Sequence, residues 1–151
     1  MATSEDAAAL VNVFSAAIID QAPGFYAAAQ CEAWAAALTI DRAVELISEH
    51  VTYVAEVTNT GEVVGFATFT APDEFDMLYV HPDHLAQGIG TRLAALIEHH
   101  ADTSGVRDLR ATVSDCARIA FEAFGFRHEK PHTATVGDQS FSVTLMSKSL
   151  G

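Results

Sequence analysis

Half of the 151 residues are apolar and 19% are charged, with 8 basic against 20 acidic side chains, a net charge of -12 and a pI near 4.7. A chain of this size buries roughly 70% of its unfolded surface, so one domain over residues 1–151 needs neither a metal nor a disulfide to hold a core. Its negative surface repels phosphate backbones and anionic lipid heads, which argues against nucleic-acid and membrane-surface partners and for a cationic one.

Residues 5 to 20 place Leu10, Val13, Phe14, Ala17 and Ile18 at helical spacing behind Thr3 and Asp6, a capping pair, and Pro23-Gly24 stops the run. An Ala-rich second helix with Trp34 is expected over 27–38, and a third over 41–49 that Asp41 can cap. Residues 51–57 and 62–69, rich in β-branched and aromatic side chains, read as strands joined by a turn at Asn59-Thr60-Gly61. A third strand, 74–80, ends at His81-Pro82. The stretch 88–101 carries Ile89, Leu93, Leu96 and Ile97 on one helical face. Residues 107–113 read as the next strand, 115–124 as a helix ended by Gly125, and 126–136 with 139–146 as a closing hairpin through Gly137-Asp138. The plan is an α/β sandwich: a mostly antiparallel sheet with one parallel crossover in its middle.

Cys31 and Cys116 stand far apart with no partner at metal or redox spacing, and read as buried free thiols. No segment reaches the ~18 apolar residues of a membrane span, and Glu5 and Asp6 stand where a signal peptide carries Lys or Arg, so a cytoplasmic chain is expected. The pairs His81/His84 and His99/His100 lack a supporting third ligand, so no metal is expected.

Charge is split along the chain. Residues 1–80 hold 12 acids and a single base, Arg42, whereas residues 81–151 hold 8 acids and 7 bases. An anion site belongs in the second half, and the first half suits the wall of a pocket for a cation.

The run from Leu78 to Leu93 carries the chemistry. Gly88 and Gly90, directly at a helix start, let several backbone N–H groups point into one space beside the positive end of the helix dipole, an anion cradle. Turn glycines at a helix start with no ligand give the same pattern. A dinucleotide fingerprint fails, because position 93 is Leu where a third glycine is needed and the strand ends well before Gly88. No Gly-Lys-Ser/Thr follows for a Walker loop.

Met77–Val80, His81-Pro82, Gln87-Gly-Ile-Gly90 and the Leu-rich helix resemble the acetyl-CoA site of the GNAT N-acetyltransferases, and Ser114-x-x-Ala117 with Phe121–Phe126 resembles their second signature. Tyr26, Gln30, Ala33-Trp34, Val64–Phe66 and Met146-x-Lys148-x-Leu150 are similar to the small bacterial YafP-like branch. The resemblance implies the acyl-CoA N-acyltransferase fold, a mixed, mostly antiparallel sheet of about six strands flanked by helices. It also implies an enzyme that moves an acetyl group from acetyl-CoA to a primary amine. The acceptor can be a small molecule or a peptide. Members of the family often pair through sheet edges or the C-terminal strands, so a homodimer is one expectation, and the sequence itself does not reveal the oligomeric state.

Residue by residue, the resemblance places the diphosphate on the amides of Gln87, Gly88, Ile89, Gly90, Thr91 and Arg92. Arg92, Arg118 and Arg127 are the nearest cations, with Arg118 preferred. The thioester lies along the strand Asp76 to Val80, with the Leu78 N–H donating to its carbonyl oxygen and Leu78, Tyr79, Val80, Ala117 and Phe121 among the cofactor-binding residues. Asp76, then Glu74, two apart on one face with Leu78, are the candidate bases. Phe121 stands where many members have a proton-donating Tyr, leaving Ser114, Tyr79 or a water to serve, or a thiolate that departs unprotonated. Leu85 replaces the usual Arg or Gln. Those two departures support a rival, an acyl-CoA-binding module without turnover. Phe25, Tyr26, Gln30 and Trp34 are the expected acceptor wall, against core packing as the plainer role. The short N-terminus leaves the usual first strand missing or vestigial.

Overall fold

The computed structural model describes residues 1–151. Helix α1 (Ala7–Gln21) buries Leu10, Val13, Phe14 and Ile18, the residues whose 3.6 periodicity marks its inner stripe. Asp6 accepts from the Thr3 N–H at 2.9 Å, one half of a reciprocal cap. Helix α2 (Ala28–Ala35) is shorter than its apolar run because Thr39 must lie outside the next helix to cap it. That helix, α3 (Ile40–Glu49), corrects the sequence expectation: the Thr39 hydroxyl, not Asp41, accepts from the Arg42 N–H at 3.2 Å. Asp41 sits in the first turn, where its charge faces the positive helix end.

Six strands follow: β1 (Val51–Glu56), β2 (Val63–Thr70), β3 (Glu74–Val80), β4 (Asp108–Ser114), β5 (Arg127–Val136) and β6 (Gln139–Ser149). They form one sheet in the order β1-β2-β3-β4-β6-β5. All neighbours are antiparallel except β3 and β4, joined by the crossover helix α4 (Ile89–Thr103). No strand precedes α1; the free edge of β1 receives a hydrogen bond from the Ala2 N–H to the Thr52 carbonyl at 2.9 Å. The sheet is mixed, six-stranded and flanked by helices, the form expected from the sequence.

Each face of the sheet has its own core. Helices α1, α2 and α3 pack over Phe66, Phe141 and Val143 on the first face. On the second, α4 and the short α5 (Arg118–Ala123) pack over Phe69, Phe75, Leu109 and Met146. Fully burying one such side chain contributes about 1.5–3 kcal/mol. Strand β2, covered on both faces, therefore reads as an unbroken apolar run. Gly65 lets α4 approach β2 closely: a Cβ there would lie 3.2 Å from Ile89 Cγ2, Leu93 Cδ1 and the Tyr79 carbonyl. The helix expected from residue 115 begins at Arg118 instead, because the Asp115 N–H is held by the Tyr26 hydroxyl at 2.9 Å. Cys31 is buried as expected, but Cys116 is only half-buried; both are free thiols.

Two one-residue irregularities matter for function. Phe69 pairs with Phe75 and Thr68 with Met77, so Asp76 is an extra residue in β3. His128 pairs with Met146 and Lys130 with Leu145, so Glu129 is an extra residue in β5.

Candidate active site

Beyond β3 the chain makes a single turn of 3-10 helix, Pro82–His84, set by His81, whose Nδ1 accepts from the Asp83 N–H at 3.2 Å. It then passes through Ala86 (φ 61°) and Gly88 (φ 77°) into α4. Backbone in the left-handed region at turn positions lets successive N–H groups face one side, the arrangement of an anion-binding nest. The first helical bond is Arg92 N–H to the Gly88 carbonyl at 3.1 Å, and the amides of residues 86–91 donate to no backbone carbonyl. Six unpaired donors thus gather at the positive end of a 15-residue helix. Packing does not demand glycine at 90, since an added Cβ would meet nothing nearer than Val80 Cγ2 at 3.9 Å. The space beside that residue is open.

The turn follows the end of β3 at which the sheet opens. Strands β3 and β4 pair only at Glu74 and Arg110, with the Arg110 N–H on the Asp73 carbonyl at 2.9 Å, and diverge beyond. The His81 N–H donates to Val64 on β2 at 2.8 Å. Antiparallel alternation sends the Tyr79 and Met77 N–H groups the same way and turns the Leu78 N–H toward the gap. A cavity of about 180 Å³ lies there, walled by Asp76, Leu78, Tyr79, Ser114, Trp34 and Phe121 among others.

The bulge corrects one sequence expectation. Asp76 and Leu78 do not share a face: Met77 and Tyr79 pack with the first-face core and Leu78 with the second, while Asp76 lies on the first face within hydrogen-bond reach of the Thr70 hydroxyl at 3.3 Å. Burial raises the Asp76 carboxyl above its ordinary value, and the Thr70 hydrogen bond offsets this only in part. Glu74 is raised too, by burial first and then by the negative charges of Asp76 and Asp73. Glu74 lies outside the cavity, beside Arg110 in a neighbouring groove. Burial also raises the Tyr79 phenol and the Cys116 thiol, whose Sγ is 3.2 Å from Ser114 Oγ.

The structure divides the expected acceptor wall. Tyr26 and Trp34 line the cavity, with ring centroids 5.9 Å apart in an edge arrangement. The Tyr26 hydroxyl is also a clasp: it donates to the Ser142 carbonyl at 2.7 Å while accepting from Asp115. Gln30 is outside, since its amide donates to the Ser140 carbonyl at 2.6 Å and accepts from the Ala27 N–H at 2.7 Å, tying α2 to β6. Phe25 is 53% exposed and off the cavity. Ala117 and Phe121 form the α5 side of the wall, whereas Arg118 is surface-exposed and paired with Glu122 at 3.7 Å. Arg92 borders the turn beside Gln87 and His84. Arg127 is at the other end of the sheet, aligned through Ser147 with Arg110, and so is separated from the turn. Thr70, Thr112 and Phe141 are site residues that no sequence motif marked; register alone brings them in.

A family model described as an acetyltransferase (GNAT) domain matches residues 22–150. A structure from Rhodopseudomonas palustris, described as a GCN5-related N-acetyltransferase and also labelled a class-II aminotransferase, is similar at 33% identity. It covers 98% of this chain and 92% of that one, with a TM-score of 0.92. The PaiA N-acetyltransferase of Thermoplasma acidophilum, in complex with coenzyme A, shares the fold at 19% identity, 98% and 95% coverage and a TM-score of 0.77. So does YncA of Salmonella typhimurium, a putative acetyltransferase with its cofactor acetyl-CoA, at 20% identity, 99% and 91% coverage and a TM-score of 0.72. No curated protein matches the chain.

Proposed function

The chain belongs to the GNAT acetyltransferase family, and on that premise we propose that it transfers an acetyl group from acetyl-CoA to a primary amine of a cationic acceptor, by direct attack on the thioester. The observation that carries this is the set of six unpaired amides at residues 86–91, which follow the end of β3 where β3 and β4 are no longer paired. A diphosphate fits the amides, and an extended thiol-bearing arm fits the opening between the strands. When bound, acetyl-CoA supplies an acyl carbon activated by its thioester, and the products are an amide and the free thiol.

The amides from Gln87 to Thr91 hold the diphosphate with the α4 dipole behind them; the Arg92 N–H, expected among them, is spent on the Gly88 carbonyl, and Arg92 adds its side-chain cation at the rim. The outward Leu78 N–H donates to the oxygen that gains charge as the amine attacks. This donor is fixed by pairing of β3 with β2, so it costs no reorganisation at that moment. Asp76 takes the proton from the amine, because an ammonium has no lone pair, and a raised carboxyl pKa brings it nearer to the working pH of a general base. Ser114, held beside Cys116 in the same cavity, is the available hydroxyl for the thiolate, since Phe121 has no proton to give. Tyr26 and Trp34 present aromatic surface to the ammonium before it loses its proton.

In the same reading, residues 1–151 work as one domain of the YafP-like branch, supported by the quoted motifs that run from Tyr26 to Leu150. A cytoplasmic site of action agrees with the composition, and no helix is long and apolar enough to cross a membrane. Titration calorimetry with acetyl-CoA, followed by thiol release across a panel of amines, tests the proposal. Binding with turnover on at least one amine supports it. Tight binding with no turnover on any amine gives the acyl-CoA-binding module instead, and absence of binding removes both.

A further inference from the structure

Beside the Asp76 cavity lies a second, wider hollow of about 580 Å³, lined by Asp73, Glu74, Arg110, Arg127, Glu129 and Lys130 among others, and Thr112 borders both. It occupies the first face of the sheet, the face from which Asp76 is reached. Three of the eight bases of a strongly acidic chain meet in it. Their gathering depends on the bulge in β5. In a regular strand Lys130, three positions on, would point to the opposite face from Arg127; because Glu129 bulges out of the pairing, Lys130 aligns with Leu145 and Thr112, while Arg127 aligns with Ser147 and Arg110. Arg110 is neutralised by Asp73 at 3.2 Å and Arg127 by Glu129 at 3.4 Å, and Glu129 is further held by the Ser147 hydroxyl at 2.5 Å. Lys130 has no ion-pair partner.

We propose that this hollow is the acceptor subsite and that it selects amines carrying a carboxylate, with Lys130 as the residue that reads the anion. The proposal rests on the acetyltransfer reading above and narrows its cationic acceptor to one whose ammonium is accompanied by a carboxylate. One end of the acceptor, the amine, meets Asp76 and Glu74, and the other meets Lys130. Two interstrand steps of about 4.8 Å separate Thr112 from Lys130 through Leu145, and the opening between β3 and β4 adds a wider one to Asp76, so that after the inward reach of both side chains the amine and the carboxylate lie at least about 6 Å apart. That span excludes a simple α-amino acid acetylated at its α-nitrogen. It fits the ω-amine of an amino acid and the N-terminus of a short peptide.

The experiment measures thiol release from acetyl-CoA with 4-aminobutanoate, 6-aminohexanoate and 8-aminooctanoate, each against its carboxamide, with 1,6-diaminohexane as a cation without an anion. Triglycine against triglycinamide separates a peptide acceptor from a small amino acid. For the best chain length kcat/KM is about tenfold higher for the carboxylate than for the amide, the size of one lost charge-assisted contact. Lys130→Gln removes that preference through KM while leaving kcat/KM on the amide within twofold. Lys130→Arg restores the preference. Equal kcat/KM for acid and amide, or a preference for the diamine, overturns the inference and leaves acetyltransfer standing. Release with none of the amines overturns both.

Discussion

Replacing Gly90 with Ala separates what the α4 turn does for the fold from what it does for a ligand. Gly90 has ordinary helical backbone, and its added Cβ would find only Val80 Cγ2, at 3.9 Å. The methyl group therefore meets no clash, and Ala in the first turn of a helix stabilises by about 0.5 kcal/mol relative to Gly. For a chain of this length, 1 kcal/mol moves Tm by roughly 2–4 °C, so Gly90→Ala is expected to raise Tm by about 1–2 °C. The same methyl group projects into open space at the turn whose amides, residues 86–91, are unpaired. Pushing a diphosphate away from even one charge-assisted N–H contact costs about 1.5–3 kcal/mol, a tenfold or greater loss of acetyl-CoA affinity. Scanning calorimetry of the free protein and titration calorimetry with acetyl-CoA read the two effects independently. A raised Tm with unchanged affinity would show that the turn does not grip the cofactor. A lowered Tm would show that Gly90 is there for packing.

Asp76→Asn should lower kcat by on the order of a hundredfold and remove the acidic limb of the pH–rate profile that Asp76 ionisation supplies. Its folded pKa lies above the ordinary value of 3.8, so the folded state holds the proton more tightly; stability is full below that value and is lost as pH rises through the raised one. The variant should therefore also have the higher Tm at pH 7, and a Tm lowered at pH 7 but not at pH 4 would contradict the burial account. Tyr26→Phe loses the bond to Ser142 and strands the Asp115 N–H, at a cost of about 2 kcal/mol, measured as a reduced denaturant midpoint with unchanged m. Gly65→Ala forces a Cβ to 3.2 Å from the Tyr79 carbonyl as well as from Ile89 and Leu93, a cost of about 1–3 kcal/mol. Because Ile89 opens α4, acetyl-CoA affinity and Tm should fall together, the opposite of the Gly90→Ala pattern.

The readable part of the sequence was local. Helix α1 and strand β2 announce themselves because one packs a single stripe and the other is buried on both faces, so hydrophobic period maps directly onto structure. The turn before α4 was readable for a similar reason: Gly88 at φ 77° is a backbone requirement that a side chain would oppose, and the donors it exposes are main-chain groups that exist whatever the neighbours are. Failures came where a long-range partner decides. Thr39 outcompetes Asp41 as a cap because α2 ends early enough to leave it extended. Gln30 was expected in the acceptor wall but spends both ends of its amide on Ala27 and Ser140, the second of which is 110 positions away.

The deepest gap concerns the two bulges. Strand side chains alternate with period two, so one inserted residue inverts every assignment beyond it. In β3 the extra Asp76 puts the base on the first face while Leu78 packs on the second and aims its N–H into the gap between strands; an unbulged strand would put both side chains on one face. In β5 the extra Glu129 brings Lys130 round to join Arg127. Neither insertion has a composition signature, because a bulge is a mismatch between two strand lengths and belongs to the pair. The chemistry of this site is thus held in register, and register is what substitutions in β2 or β6, remote from any reacting group, would disturb. An insertion or deletion in the β5–β6 hairpin that slips Lys130 by one position should abolish carboxylate preference while leaving acetyl-CoA binding intact.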